Sequence, residues 1–150
     1  MSSQAQTTAT QSTIARTVLR LALGVIFFAH GWQKIFEYTI PGTQAAFTQM
    51  GVPAAQLIAP AIGFLELVGG AAIILGVLAR PVAALLALDM LGALFLVHAP
   101  AGIFADKGGY ELVLVLAAAA AALALAGAGR FSIDAWVFGR SQSRTLAALA

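Results

Sequence analysis

Apolar residues run almost unbroken through four stretches, Ile14 to Phe36, Gln56 to Leu78, Pro81 to Val97 and Tyr110 to Ala128, and polar residues collect between them. A helix that crosses a bilayer needs roughly 20 mainly apolar residues. The pattern therefore predicts an all-α integral membrane protein, a four-helix bundle with short interfacial segments. The last stretch leans on the alanine run at 117–122, yet carries no charge between Glu111 and Arg130. Residues 1–13, a Ser/Thr/Gln/Ala head without an apolar pattern, are expected to be a flexible tail; residues 14–128 form the membrane domain and 129–150 a cytoplasmic C-terminal tail.

The connections refine this outline. Only Ala79 and Arg80 separate the second and third runs, which predicts a tight hairpin with Pro81 in the first helical turn. In the longer first connection, Thr43 to Met50 is expected to lie as a short helix on the membrane surface, with Phe47 and Met50 as its apolar contacts. The third, HAPAGIFADKGG, reads as a Gly/Pro-punctuated loop. Beyond the last run, RFSIDAWVFGR predicts a short interfacial helix capped by Ser132, with Arg130 and Asp134 paired four residues apart. Leu21 to Ala29 has the length of a signal-peptide core, but no A-x-A site follows it, so it is read as a retained span.

Composition strengthens the membrane reading: 61% of the residues are hydrophobic and 9% charged, against roughly 45–50% and 25% in soluble domains. There are no cysteines, which removes disulfides, thiol relays and thiolate-held metal from this chain's own repertoire. The formal charge of +2 is carried by arginines scattered near span ends without a basic stripe, which argues against nucleic acid as a partner. Arg16, Arg20, Arg80, Arg130, Arg140 and Arg144 fall on one side of four spans, and Lys34 and Lys107 on the other. The positive-inside rule then places both termini in the cytoplasm, with the spans in a bacterial inner membrane. Trp32, Tyr38 and Tyr110 would sit in the outer aromatic belt and Trp136 in the inner one.

Polar groups inside the runs carry the candidate chemistry. The stretch FFAHGWQKIFE sets His30, Gln33, Lys34 and Glu37 at i, i+3, i+4 and i+7, one face of a regular helix. Counting about 1.5 Å of rise per residue from Arg16, Arg80 and Arg130 puts His30 and Glu66 roughly 21 Å up, Lys34, His98 and Glu111 roughly 27–28 Å, and Asp89 roughly 14 Å. Groups from four helices thus converge on the outer half. An acidic side chain at mid-span costs about 2.5–3.5 kcal/mol, so Glu66 and Asp89 are expected to face the interior, paired or protonated. Gly63 and Gly70 beside Glu66, and Gly92 beside Asp89, would let helices approach closely. By depth the expected pairs are Glu66 with His30, Lys34 with His98 or Glu111, and Arg20 with Asp89. Plainer readings exist for each: snorkelling interfacial charges for Lys34, Glu37 and Glu111, capping histidines, and a structural interhelical hydrogen bond for Glu66 and Asp89.

The strings HGWQK, FLELVGG, LDM, YELV and GAGRFSIDAW, in that order from about Arg20 to Trp136, resemble the DoxX family of small four-span bacterial membrane proteins. The family's polar motif positions map onto His30, Gly31, Lys34, Glu66, Asp89, His98 and Glu111; GAG at 127–129 stands where the family pattern has GPG. The resemblance implies an integral membrane subunit linked by name to a quinone-dependent oxidase system, and supplies no reaction.

Three functions are then in view. The first is a redox-linked, oxidoreductase-associated subunit: His30, Lys34, His98 and Glu111 hold a quinone or similar apolar carrier, Glu66 and Asp89 act catalytically as a proton relay, and Gly31, Gly63, Gly70, Gly92 and Arg20 are structural. The second is a non-catalytic scaffold recruiting soluble partner proteins or other redox subunits, and the third a transporter of protons or a small solute, for which several copies of the chain would assemble. Haem held by His30 and His98 is the least favoured cofactor, and no metal site is expected.

Overall fold

With no water in hydrocarbon to take up its N–H and C=O groups, a backbone crossing a membrane satisfies them within a helix, and the long apolar segments do so. The computed structural model describes residues 3–138, which are mostly helical with no strand among them. The main elements are α1 (Ser3–Trp32), α2 (Thr39–Gln49), α3 (Ala55–Leu75), α4 (Ala79–Ala93), α5 (Glu111–Ala126) and α6 (Ile133–Phe138). Two π-helical turns, Gln33–Glu37 and Leu94–His98, extend α1 and α4. Three of the helical segments, Gln6–Glu37, Ala55–Leu75 and Ala79–Ala101, are long and apolar enough to cross a membrane; the fourth apolar helix, Glu111–Ala126, is shorter.

Within the polar head, α1 already begins at Ser3 and runs on into the apolar segment. Extending a helix already nucleated by an apolar segment costs little. The hydroxyls of Thr8, Thr10, Ser12 and Thr13 also fold back onto carbonyls three or four residues earlier, so they bond without breaking the ladder. Residues 139–150, including Arg140 and Arg144 of the orientation census, lie outside the described residues.

Glycine decides where α1 meets α3. A Cβ on Gly31 would come within 2.2 Å of the Leu67 amide nitrogen, and one on Gly70 within 2.3 Å of the Phe28 nitrogen, so the two backbones cross in direct contact. Gly24, not singled out from the sequence, completes the seam against Ile74 and the Gly70 carbonyl, one heptad before Gly31 on the same face. Gly63 admits Ile35, whereas a Cβ on Gly92 would meet nothing within 4 Å, so Gly92 is not a packing glycine. The core beyond the seam is built from Leu23, Phe27, Ile73, Leu86, Met90, Leu116 and Leu123, with α4 packed along α5.

At the arginine-bearing end, two sequence-based pairings are replaced. Arg20, expected to reach Asp89, is buried and donates to the carbonyls of Ile73, Ile74 and Phe131. The last carbonyls of α3 have no partner within the helix, and a guanidinium with five donors answers several at once. Asp134, expected to pair with Arg130, is 1% exposed and accepts from the backbone N–H groups of Leu78 (2.8 Å) and Ala79 (2.9 Å). A carboxylate on the open N-terminus of α4 meets both orphan donors and the helix dipole. Ser132 does cap α6, accepting from the Ala135 N–H, and the Asp134 N–H donates to the Gly76 carbonyl. The short C-terminal helix is thereby pinned under the α3–α4 hairpin, where α3 ends at Gly76 (φ 70°), three residues before α4 begins.

Candidate functional site: a polar-floored cavity between the helices

The opposite half of the molecule holds a partly open cavity of about 660 Å³. Its walls are mainly aliphatic, and His30, Lys34, Glu66, Asp89 and His98 all line it. Five of the six residues singled out as chemical therefore meet in one space, from α1, α3, α4 and both π turns. The sixth does not: the Glu111 carboxylate accepts from the Ala105 N–H at 2.6 Å and is not part of the lining.

The π turns explain both the convergence and its exceptions. In an i→i+5 turn each residue advances less around the axis than in an α-helix. On a regular helix Asp89 and His98, nine residues apart, would point to opposite sides; the widened turn at Leu94–His98 brings both onto the cavity. The same widening at Gln33–Glu37 breaks the face expected for FFAHGWQKIFE: His30 and Lys34 keep to the cavity, while Gln33 and Glu37 leave it. The turn is closed by Tyr38 N–H on the Gln33 carbonyl (2.9 Å), and the Lys34 carbonyl accepts from the Thr43 hydroxyl at 2.7 Å.

Lys34 forms an ion pair with Glu66, the one ion pair among the described residues. Counting rise along the helices sets these two about four residues apart; the lysine stem spans that difference by snorkelling. The Glu66 side chain is 3% exposed and that of Lys34 18%, so the carboxylate sits at the sealed end and the ammonium closes it from the cavity side. Asp89 lines the same space, close enough for its carboxyl group to feel that of Glu66, and its Oδ2 is buried with no hydrogen-bond partner. One cationic and two carboxyl side chains thus form a compact cluster at one side of the cavity.

Two further segments border the cavity. Phe47 and Met50 of α2 and its end, expected as surface anchors, line the cavity, with α2 packed on α3 and tied there by Gln44 to the Gln56 carbonyl (2.8 Å). On the other side the 99–110 loop folds over α5. His98 Nδ1 meets the Gly108 carbonyl at 2.7 Å, and the Tyr110 and Glu111 N–H groups bond Gly102 and Ile103. Gly109 is buried where a Cβ would fall 2.4 Å from the Gly102 oxygen, a constraint invisible without the loop's path.

No solved structure matches the chain. Among curated proteins, it is 35% identical over 94 residues to the "Uncharacterized membrane protein Rv3486" of Mycobacterium tuberculosis, a match covering 60% of this chain and 57% of that one. It is 35% identical over 88 residues to "Putative oxidoreductase CatD" of Bacillus subtilis (59% and 63%), and 39% identical over 82 residues to "Inner membrane protein YqjF" of Escherichia coli (55% and 60%). The matched part thus spans about three fifths of each relative. The DoxX family model matches residues 15–99, a segment that holds all five ionisable groups of the cavity and ends before Glu111. This membrane protein belongs to the DoxX family.

Proposed function

We propose that the chain is a quinone-associated membrane subunit of the bacterial inner membrane, crossing it four times with both termini in the cytoplasm. The fourth crossing would be α5, which packs along α4 although its 16 residues give only about 24 Å. The observation that carries the functional reading is the cavity itself: apolar walls of a size suited to a small ligand, with convergent polar groups on one side. The relative named as an oxidoreductase supports it.

The residues present fit a quinone head group. His30 and Lys34 supply N–H donors for a carbonyl oxygen, His98 stands at the loop side, and Asp89 Oδ2 is a buried polar atom still lacking a partner. A bound quinone would supply coupled electron and proton chemistry. The chain's own contribution is to orient the head group, exclude water with α2 and the 99–110 loop, and hold or release a proton at the Glu66–Asp89 pair. Glu111 contributes by holding the loop, through its bond from the Ala105 N–H.

Solvent extraction of detergent-purified protein tests this. A retained compound whose ultraviolet spectrum changes on borohydride reduction is expected, and Gly92→Leu, which builds into open cavity space, should lower its yield. Absence of such a compound, together with no binding of an added short-chain quinone, would refute the proposal and favour a scaffold.

A further inference from the structure

At the end of the helices opposite the cavity lies a second recess of about 250 Å³, lined by Arg16, Arg80 and Arg130 together with Thr13, Ser132 and Ala135. We propose that it binds the phosphate of an anionic phospholipid headgroup. Three guanidinium groups from three separate segments face one recess, and no ion pair neutralises any of them among the described residues. Asp134, the acidic residue nearest in sequence, is committed to the α4 N-terminus. Arg16 spends one N–H on the Ala126 carbonyl, and Arg80 Nε is buried without a partner. A buried donor left unbonded costs stability, and a phosphate with several acceptor oxygens is the ligand that guanidinium forks match.

The setting identifies the phosphate as a lipid's. Arg16 lies where α1 passes from its polar head into its apolar span. Phe131 and Trp136, flanking Arg130 and Ser132, are 66% and 76% exposed, as aromatic residues at a headgroup boundary are. A basic recess between helix ends at that depth is the geometry by which membrane proteins hold acidic headgroups.

The full chain in detergent is titrated with phosphatidylglycerol or phosphatidylethanolamine and bound lipid is counted by native mass spectrometry. Phosphatidylglycerol should bind in preference, and Arg130→Gln and Arg80→Gln should each weaken it about fivefold while weakening the zwitterionic phosphatidylethanolamine less, so that the preference shrinks. Arg130→Lys, which keeps the charge, should retain most of the preference. Arg130 is exposed, so its variants are expected to keep the wild-type circular dichroism and thermal transition. Equal binding of the two lipids, or an unchanged preference in the Arg80→Gln/Arg130→Gln double variant, overturns the proposal. Full displacement of phosphatidylglycerol by millimolar inorganic phosphate also overturns it, assigning the recess to a free anion.

Discussion

Replacing Lys34 with Met leaves the Glu66 carboxylate, its side chain 3% exposed, without its cation and beside a second carboxyl group, Asp89. Breaking a buried ion pair by removing one partner typically costs about 3–5 kcal/mol; because the Lys34 side chain is 18% exposed, the lower end, about 3 kcal/mol, is expected. Glu66→Gln strands the ammonium in the same space, but with a route toward the cavity, and should cost less. The double variant Lys34→Met/Glu66→Gln removes both charges together, so its stability should lie well above the sum of the two losses. The assay is a double-mutant cycle on reversible unfolding in mixed dodecyl-maltoside and dodecyl-sulfate micelles. A coupling of about 2 kcal/mol or more is expected. The cluster makes a further demand: Asp89→Asn added to Lys34→Met should recover part of the loss by removing the neighbouring acid. Losses that add to within about 0.5 kcal/mol, or an Asp89→Asn change that deepens the defect of Lys34→Met, would show that these three side chains do not form a cluster.

Three further outcomes follow from the packing and one from the proposed orientation. Gly31→Ala and Gly70→Ala force a Cβ against backbone that cannot yield, so each should lose at least the roughly 1–3 kcal/mol typical of overpacking, read by the same unfolding assay, whereas Gly92→Ala should be neutral. Asp134→Ala orphans the Leu78 and Ala79 N–H groups and should cost about 2 kcal/mol, with Asp134→Asn recovering roughly half. Glu111→Gln should loosen the 99–110 loop, seen as faster amide exchange at Ala105 with little change in global stability. Because the chain has no cysteine of its own, single cysteines at Ser12 and Asp106 can report topology: an impermeant maleimide added to whole cells should label position 106 and not 12, and the reverse pattern would invert the proposed orientation.

Much of this architecture is legible in the sequence because apolar run length and a few costly charges obey one-dimensional rules. The cost of Glu66 and Asp89 in lipid forces them inward, and the cavity indeed gathers them with His30, Lys34 and His98. Pairing is not legible in the same way. Depth along a helix axis ignores the reach of a lysine stem, so it matches Lys34 to His98 and Glu111 in place of Glu66. Arg20 and Asp134 have charged residues near them in sequence or depth, yet both serve backbone groups at helix ends, which exist only once α3 and α4 have their boundaries. Gly24 is open to recognition from its heptad spacing to Gly31. Gly109 is not, since its constraint comes from a loop crossing over itself.

The two π turns tie fold to site. Each stands where a membrane helix leaves the close-packed region and borders the cavity, one carrying Lys34 and the other ending at His98. A strictly α-helical continuation would set Gln33 and Glu37 on the face of His30 and turn His98 away from Asp89. The widened ladder costs some backbone regularity; at the first turn the Thr43 hydroxyl bonds the Lys34 carbonyl, and at the second the His98 ring nitrogen Nδ1 meets the Gly108 carbonyl. These two bonds also attach α2 and the 99–110 loop to the residues they cover. The closure of the cavity and the aim of its polar groups therefore rest on the same hydrogen bonds: Thr43→Val, nearly isosteric but lacking the hydroxyl, should disturb ligand retention and α2 docking together and leave the Gly31–Gly70 seam intact.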